Sequence, residues 1–217
     1  MIRFVPDTRG GGPLRVLCLG AHCDDIEIGC GGTVLRLLAD WPQASVHWVV
    51  LSSNAERSRE AERSAAAFLE GAGERRLTVR TFRESYFPWL GAEIKDFFEE
   101  LHAANEPDLV FTHCREDRHQ DHRLVSELTW NTFRRHLILE YEIPKYDGDL
   151  GSPNLFVALD EATARRKVEA LMRHFPSQRA RHWFDERTFW ALLRLRGLES
   201  GAEQPFAEAF YCRKLLV

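Results

Sequence analysis

Apolar residues along the chain alternate between short continuous runs and longer stretches with helical spacing. The run LRVLCLG (14–20) is short, apolar and closed by Gly20, so it reads as a buried strand. From Gly31, GTVLRLLADW carries its apolar residues at helical spacing until Pro42 forbids continuation. SVHWVVLSS, rich in β-branched residues, predicts a second strand. A charged stretch from Glu56 to Gly71 with Ala and Leu on one side predicts a surface helix, closed by Gly71 and Gly73. LTVRTF (77–82) predicts a strand, 91 to about 104 a helix, and, after the break at Glu106-Pro107, DLVFTH (108–113) a further buried strand. Strands alternating with helices call for a mostly parallel sheet covered on both faces, because parallel neighbours need crossover connections usually made by helices. The last third is less regular. It holds a loop with Pro144, Gly148, Gly151 and Pro153, helices expected over 160–174 and 185 to about 198, and a last strand near 209–216. The glycine-rich opening from Thr8 to Pro13 cannot hold regular structure cheaply.

A chain of 217 residues, 44% apolar, can bury one substantial core, and the expectation is a single domain over 1–217. Neither an internal repeat nor a linker interrupts it. A formal charge of -4 with no dense Lys/Arg block gives no electrostatic reason for nucleic acid or an anionic membrane as partner. The first residues lack the apolar run of a signal peptide, and no segment offers the roughly 20 apolar residues of a spanning helix, which points to the cytoplasm. Five cysteines (Cys18, Cys23, Cys30, Cys114, Cys212) form an odd count with no CxxC spacing, which argues against a disulfide framework or a thiolate knuckle and for reduced thiols. The aromatic group Phe175, Trp183, Phe184, Phe189 and Trp190 is core by default, with a subunit interface, and so oligomerisation, as its other use.

Two polar clusters carry the candidate chemistry. His22, Asp24 and Asp25 follow the first strand, and His113, Asp117, His119, Asp121 and His122 follow the DLVF strand. In open parallel sheets ligands bind at the strands' carboxyl ends, so clusters far apart in sequence can share one crevice. Imidazole and carboxylate suit zinc, whose catalytic sites use three protein ligands and keep one position open. The surplus residues supply what hydrolysis of an amide also needs, a general base and a proton donor. Either cluster alone is equally a set of turn and capping residues. Eight ionisable side chains at two strand ends are costly to desolvate without a compensating charge. Gly29-Cys30-Gly31-Gly32 lacks the third glycine of a dinucleotide loop and follows acidic residues that repel phosphate. Those glycines are expected to let the chain turn closely past the site into a helix.

GAHCDDIEIGCGGT resembles the AHPDDE signature of the zinc-dependent de-N-acetylases that include LmbE-like proteins and the enzyme acting on N-acetylglucosaminyl phosphatidylinositol. Its usual companion, an H-x-D-H run after a strand, stands here as His119-Gln120-Asp121-His122. Weaker matches are Arg59 and Glu62 in an R-x-x-E spacing, Ser177-Gln178, and Ala207-Glu208-Ala209-Phe210, so the resemblance spans nearly the whole chain. It implies a Rossmann-like α/β three-layer sandwich. It also implies a Zn2+-dependent hydrolase (another divalent metal such as Fe2+ being possible) that removes acetyl from an N-acetylated amino sugar or its conjugate. His22, Asp25 and His122 would hold the metal. Asp24 would be the general base, His119 the electrophilic or acidic partner, and Asp121 the residue that holds the His119 ring. Arg59 would bind a substrate hydroxyl or phosphate, and Glu84 stands where the family often has a substrate-binding Asp. The resemblance leaves His113, Cys114 and Asp117 between a supporting and a structural role, and Cys23 departs from the family's proline. Rival readings are an amidase acting on a cysteine conjugate or other small amide, and a non-catalytic sugar-binding relative. The loop 142–154, with Tyr146, Asp147 and Asp149, is a candidate substrate wall or an ordinary surface loop.

Overall fold

The structure, a computed structural model, describes residues 11–216, so part of the glycine-rich opening and the segment read for a signal peptide lie outside the described residues. Seven strands form one sheet: β1 (Arg15–Gly20), β2 (Ser45–Val50), β3 (Glu74–Val79), β4 (Leu109–His113), β5 (Leu137–Tyr141), β6 (Leu155–Leu159) and β7 (Phe206–Cys212), in the order β3-β2-β1-β4-β5-β7-β6. The run from β3 to β5 is parallel, and β7 pairs antiparallel with both β5 and β6. Six helices cover it: α1 (Asp25–Asp40), α2 (Ala55–Phe68), α3 (Gly91–Ala104), α4 (Gln120–Thr132), α5 (Glu161–His174) and α6 (Glu186–Ser200).

Side chains of successive strand residues point to opposite faces, and β1 shows the consequence. Val16 and Cys18 join the core under α1, α2, α5 and α6, whereas Leu17 and Leu19 join the core under α3 and α4. A strand buried on both faces must be apolar throughout, which is why LRVLCLG has no polar alternation. The aromatic group of the last third is core: Phe175, Phe184 and Phe189 are buried, and Trp183 and Trp190 pack against them.

Several elements depart from the sequence reading, and β3 lies three residues before the expected 77–82. The first helix begins at Asp25, before the glycines, and they are helical. Their role is close approach: a Cβ on Gly29 would lie 2.1 Å from the Tyr141 ring, one on Gly31 2.7 Å from Phe68, and one on Gly32 2.5 Å from Leu159. The segment after the second polar cluster forms α4 and then β5, and β6 adds an antiparallel edge, three elements the sequence reading did not assign. The last strand starts at Phe206, so that Glu208 is inside it. Glu208 accepts from the Gly32 and Thr33 N–H groups at 2.8 and 2.6 Å and pairs with Lys167, which donates to the Ile28 carbonyl. That buried pair ties α5 and β7 to the middle of α1. No helix among the described residues is long and apolar enough to cross a membrane.

Candidate metal centre

From β1 the chain steps outward to β2 and β3, then returns to place β4 on the other side of β1. The loops after β1 and β4 therefore diverge at the sheet's topological switch point, where a crevice opens at the strands' carboxyl ends. His22, Asp24 and Asp25 arrive on the first loop; Asp117, His119, Asp121 and His122 arrive on the second. The two polar clusters meet there.

His22 Nδ1 and His122 Nε2 face each other at 3.1 Å. The Asp25 carboxylate lies 3.4 Å from the first nitrogen and 3.5 Å from the second. Each ring's other nitrogen is already engaged by a buried carboxylate: His22 Nε2 by Asp121 Oδ2 at 3.1 Å, and His122 Nδ1 by Asp117 Oδ2 at 2.9 Å. Carboxylates in those positions fix ring orientation and tautomer for metal-ligating imidazoles. Ligands about 2.0–2.1 Å from a tetrahedral zinc ion stand about 3.3–3.4 Å apart. The two imidazole nitrogens and the Asp25 carboxylate, which faces His22 with Oδ2 and His122 with Oδ1, stand close to that spacing, so the residues present suit a divalent ion. His119 also closes a His22-His119-His122 triple, and His113 closes one with Asp25 and His122. A third grouping, Cys114-Glu116-Glu140, is already neutralised, because Arg213 contacts both carboxylates and Arg115 and Trp130 contact Glu140.

Charge balance supports the same conclusion. Asp24, Asp25, Asp117 and Asp121 are all buried, at most 3% exposed. Arg57 pairs with Asp24 at 2.7 Å and Lys145 with Asp117 at 2.9 Å. Each cation also pairs with a further buried carboxylate, Arg57 with Glu60 and Lys145 with Asp149, so the centre keeps an excess of negative charge that a dication would reduce. The His22 ring carries part of that compensation. Burial works against its charge, but Asp25 and Asp121 outweigh burial and push its pKa up to about 10. Burial and the neighbouring His113 push His122 down to about 3, so with Nδ1 directed at Asp117 its Nε2 is the accepting nitrogen that faces His22.

Around this core the structure distributes the remaining residues. Asp24 Oδ1 accepts from Arg57, while its Oδ2 is buried with no hydrogen-bond partner among the described residues. Arg57 also donates to Glu60 at 3.1 Å and to Ser177 at 3.3 Å. The R-x-x-E pair that reaches the site is thus Arg57 and Glu60. Arg59 is exposed, with its carbonyl accepting from Arg63, and does not join the site. Helix phase explains the difference: Arg57 lies on the stripe of Glu60, Ala61, Ser64, Ala65 and Phe68 that α2 buries, and Arg59 and Glu62 lie off it. That stripe was the readable signal. Asp121 does not hold the His119 ring; beyond His22 it accepts from the backbone N–H of Ser85 at 2.6 Å and of Phe87 at 3.1 Å. His119 caps α4 instead, its Nδ1 accepting from the Asp121 N–H at 3.2 Å, which leaves Nε2 to carry the ring's proton. Burial and the His22 charge lower its pKa, so it is a neutral donor. Glu84 is exposed beside the site and reaches His22 only through its charge. His113 stacks on His122 with ring centres 3.9 Å apart and sits 3.2 Å from Asp25. The Cys23 thiol, its pKa raised by burial, contacts the Ser52 carbonyl rather than the crevice. In the 142–154 loop, Lys145 bridges Asp117 and Asp149, so one side of that loop is fixed to the site.

Comparisons with known proteins agree with this geometry. The family model for GlcNAc-PI de-N-acetylases (PIG-L) matches residues 17–133, which include both polar clusters. Similar solved structures include a conserved protein from Thermus thermophilus, 20% identical, with a TM-score of 0.71 over 94% of this chain and 96% of that one. The N,N'-diacetylchitobiose deacetylase of Pyrococcus horikoshii is 20% identical over 90% and 82% of the two chains, with a TM-score of 0.67. The 4-carboxy-2-hydroxymuconate hydratase of Pseudomonas putida is 14% identical over 94% and 98%, with a TM-score of 0.71. At such identities the likeness establishes the α/β fold, and the hydratase shows that this fold hosts more than one reaction. The match over more than half of the sequence, including both ends of the crevice, decides the matter: the chain belongs to the GlcNAc-PI de-N-acetylase (PIG-L) family.

Proposed function

We propose that this protein is a metal-dependent de-N-acetylase that hydrolyses the acetamide of an N-acetylated amino sugar or its conjugate. The observation that carries the reading is the pair of imidazole nitrogens facing each other at 3.1 Å beside Asp25, each ring held from behind by a carboxylate. His22, Asp25 and His122 would hold the ion, with zinc the metal best matched to two nitrogens and one carboxylate. A divalent ion held there supplies Lewis acidity.

The chain's own groups divide the rest of the work. Asp24 is the general base, taking the proton of the attacking water on its unpartnered Oδ2 while Arg57 holds Oδ1, and giving that proton to the amine nitrogen as the C–N bond breaks. His119 points its protonated nitrogen away from its capping bond, and as a neutral donor it stabilises the oxyanion that forms at the acetyl carbonyl. Asp121 and Asp117 orient the two ligand rings rather than taking protons. Arg57 replaces Arg59 as the residue through which α2 acts on the site, and Glu84 stands at the rim where a substrate hydroxyl can reach it. The nearest rival is an amidase for another small amide, which would use the same base and donor. A small-molecule substrate and a cytoplasmic setting complete the reading.

The test is to load the purified protein with zinc and measure acetate release from N-acetylglucosamine derivatives and from a panel of other small amides. Release from the sugars, abolished in Asp24→Ala with metal still bound, supports the proposal. Loss of metal in Asp24→Ala would show that Asp24 is a ligand, and release only from non-sugar amides would favour the rival. Neither bound metal nor release from any substrate would sink the proposal.

A further inference from the structure

Beside the site, the segment between β3 and α3 carries three exposed side chains in contact, Arg83 over the face of Tyr86 and Trp89 tilted against it. The Arg83 guanidinium carbon lies 3.6 Å from the centre of the Tyr86 ring, and that ring lies 5.8 Å from the Trp89 ring. Trp89 is 75% exposed and Tyr86 41%. The backbone beneath them is held firmly. Ser85 adopts φ 66, the one left-handed non-glycine conformation among the described residues. Such strain persists only where surrounding contacts impose it, and it concentrates at functional sites. Here the contacts are known: the Ser85 and Phe87 N–H groups, on either side of Tyr86, donate to the two oxygens of Asp121, and Gln120 donates to the Ser85 carbonyl. The same Asp121 carboxylate holds His22. Tyr86 is therefore fixed two hydrogen bonds away from a residue of the crevice, and Trp89 follows it.

The group suits a particular occupant. The Tyr86 ring, backed by a guanidinium, and the open indole of Trp89, tilted 56° to it, present two polarisable ring faces, which favour another planar ring over a flexible alkyl chain. Two rings are far too small for a stable protein interface, which takes about 800 Å² per partner. A sugar whose acetamide lies in the crevice would place a substituent of its ring outside it, beside this surface. We propose that Arg83, Tyr86 and Trp89 form a stacking platform for an aromatic group attached to the amino sugar, so that the enzyme prefers aryl to alkyl glycosides. The inference rests on the deacetylase reading above.

The test compares deacetylation of phenyl and methyl N-acetyl-β-glucosaminide by the zinc-loaded protein. A stacked ring is expected to lower KM for the phenyl glycoside by about tenfold relative to the methyl one, with similar kcat. Trp89→Ala and Tyr86→Ala are each expected to shrink that ratio to about threefold or less. Trp89→Phe, which restores a ring, should keep most of it, and Leu198→Ala, on the exposed side of α6, should leave it unchanged. Equal KM values in the unaltered protein, or a ratio that survives both alanine variants, would overturn the platform. If neither glycoside is turned over, it is the deacetylase reading that falls. Calorimetric binding of the two glycosides to the same protein then decides the platform by the same affinity ratio and its loss in Trp89→Ala.

Discussion

Replacing Asp121 by Asn changes one atom of the side chain and should disable the site's support. The carboxylate is fully buried and accepts three hydrogen bonds: His22 Nε2 and the Ser85 N–H at Oδ2, and the Phe87 N–H at Oδ1. An amide of the same shape keeps one accepting oxygen. With that oxygen at the Oδ2 position, its NH2 group opposes the Phe87 N–H; in the flipped orientation it opposes both other donors. The better orientation leaves the Phe87 N–H and the amide's own NH2 opposed and unpaired, which costs at least about 1–3 kcal/mol. For a protein of this size that corresponds to a fall of at least about 2–12 °C in the unfolding midpoint of the metal-free form. A neutral amide is also a weaker acceptor for the His22 ring, and disturbing such a partner typically costs about 10–100-fold in metal affinity. Zinc affinity measured by competition with a chelator, alongside thermal unfolding of the metal-free protein, tests both numbers. His119→Gln serves as the comparison, because His119 closes an alternative triple with His22 and His122. Its affinity should remain within about threefold of the original, well short of the cost of losing an orienting partner. An Asp121→Asn protein that binds zinc as tightly as the original would refute the reasoning, and a large loss in His119→Gln would replace Asp25 by His119 in the ligand set.

Other outcomes follow from the electrostatics and packing. Because His22 is held charged up to about pH 10 without metal and must lose that proton to bind through Nδ1, zinc binding at pH 7 should release about one proton. Calorimetry in buffers of different ionisation enthalpy measures it, and zero release would contradict the charged ring. Glu27 lies wholly inside the protein, with Ser64 beside it but no well-formed hydrogen bond to either oxygen among the described residues, and burial outweighs that neighbour and pushes its pKa up to about 8 from 4.5. A raised carboxylate makes the unfolded chain the better acid, so stability falls as pH rises from 4.5 to about 8 and then levels off. Glu27→Gln should remove that loss, gaining at least about 1 kcal/mol over the original at pH 9 relative to pH 5. Melting curves at the two pH values check it, and an unchanged difference would show that the acid is solvated. Gly29→Ala would drive a Cβ to 2.1 Å from Tyr141, a ring fixed by its bond to the Leu19 carbonyl, and should cost at least about 1–3 kcal/mol in urea unfolding. Gly91→Ala, with open space around it in the first turn of α3, should be neutral or stabilising, and equal costs at the two glycines would overturn the close-approach argument.

Much of this molecule was legible in one dimension. Strands buried on both faces must be continuously apolar, so β1, β2 and β4 stood out, and the helices between them betrayed a parallel sheet. His22, Asp24, Asp25, His119, Asp121 and His122 could be picked out because donor and ligand chemistry admits few residue types, and their places after two strands predicted one crevice. Three-dimensional position decided the rest. Which nitrogen of His22 faces His122 depends on Asp121 reaching it from α4, and Asp121 could serve His22 rather than His119 only once the 80–90 segment had folded over it. Arg57 rather than Arg59 reaches Asp24 because α2 buries one stripe, a phase that becomes definite when the helix meets the sheet. The glycines that read as a turn lie inside a helix, and they are glycines because Tyr141, Phe68 and Leu159, all distant in sequence, leave no room for a Cβ. Residue type fixes what a side chain can do, and that is local; which of its atoms is free to do it depends on partners that only the fold brings within hydrogen-bond distance.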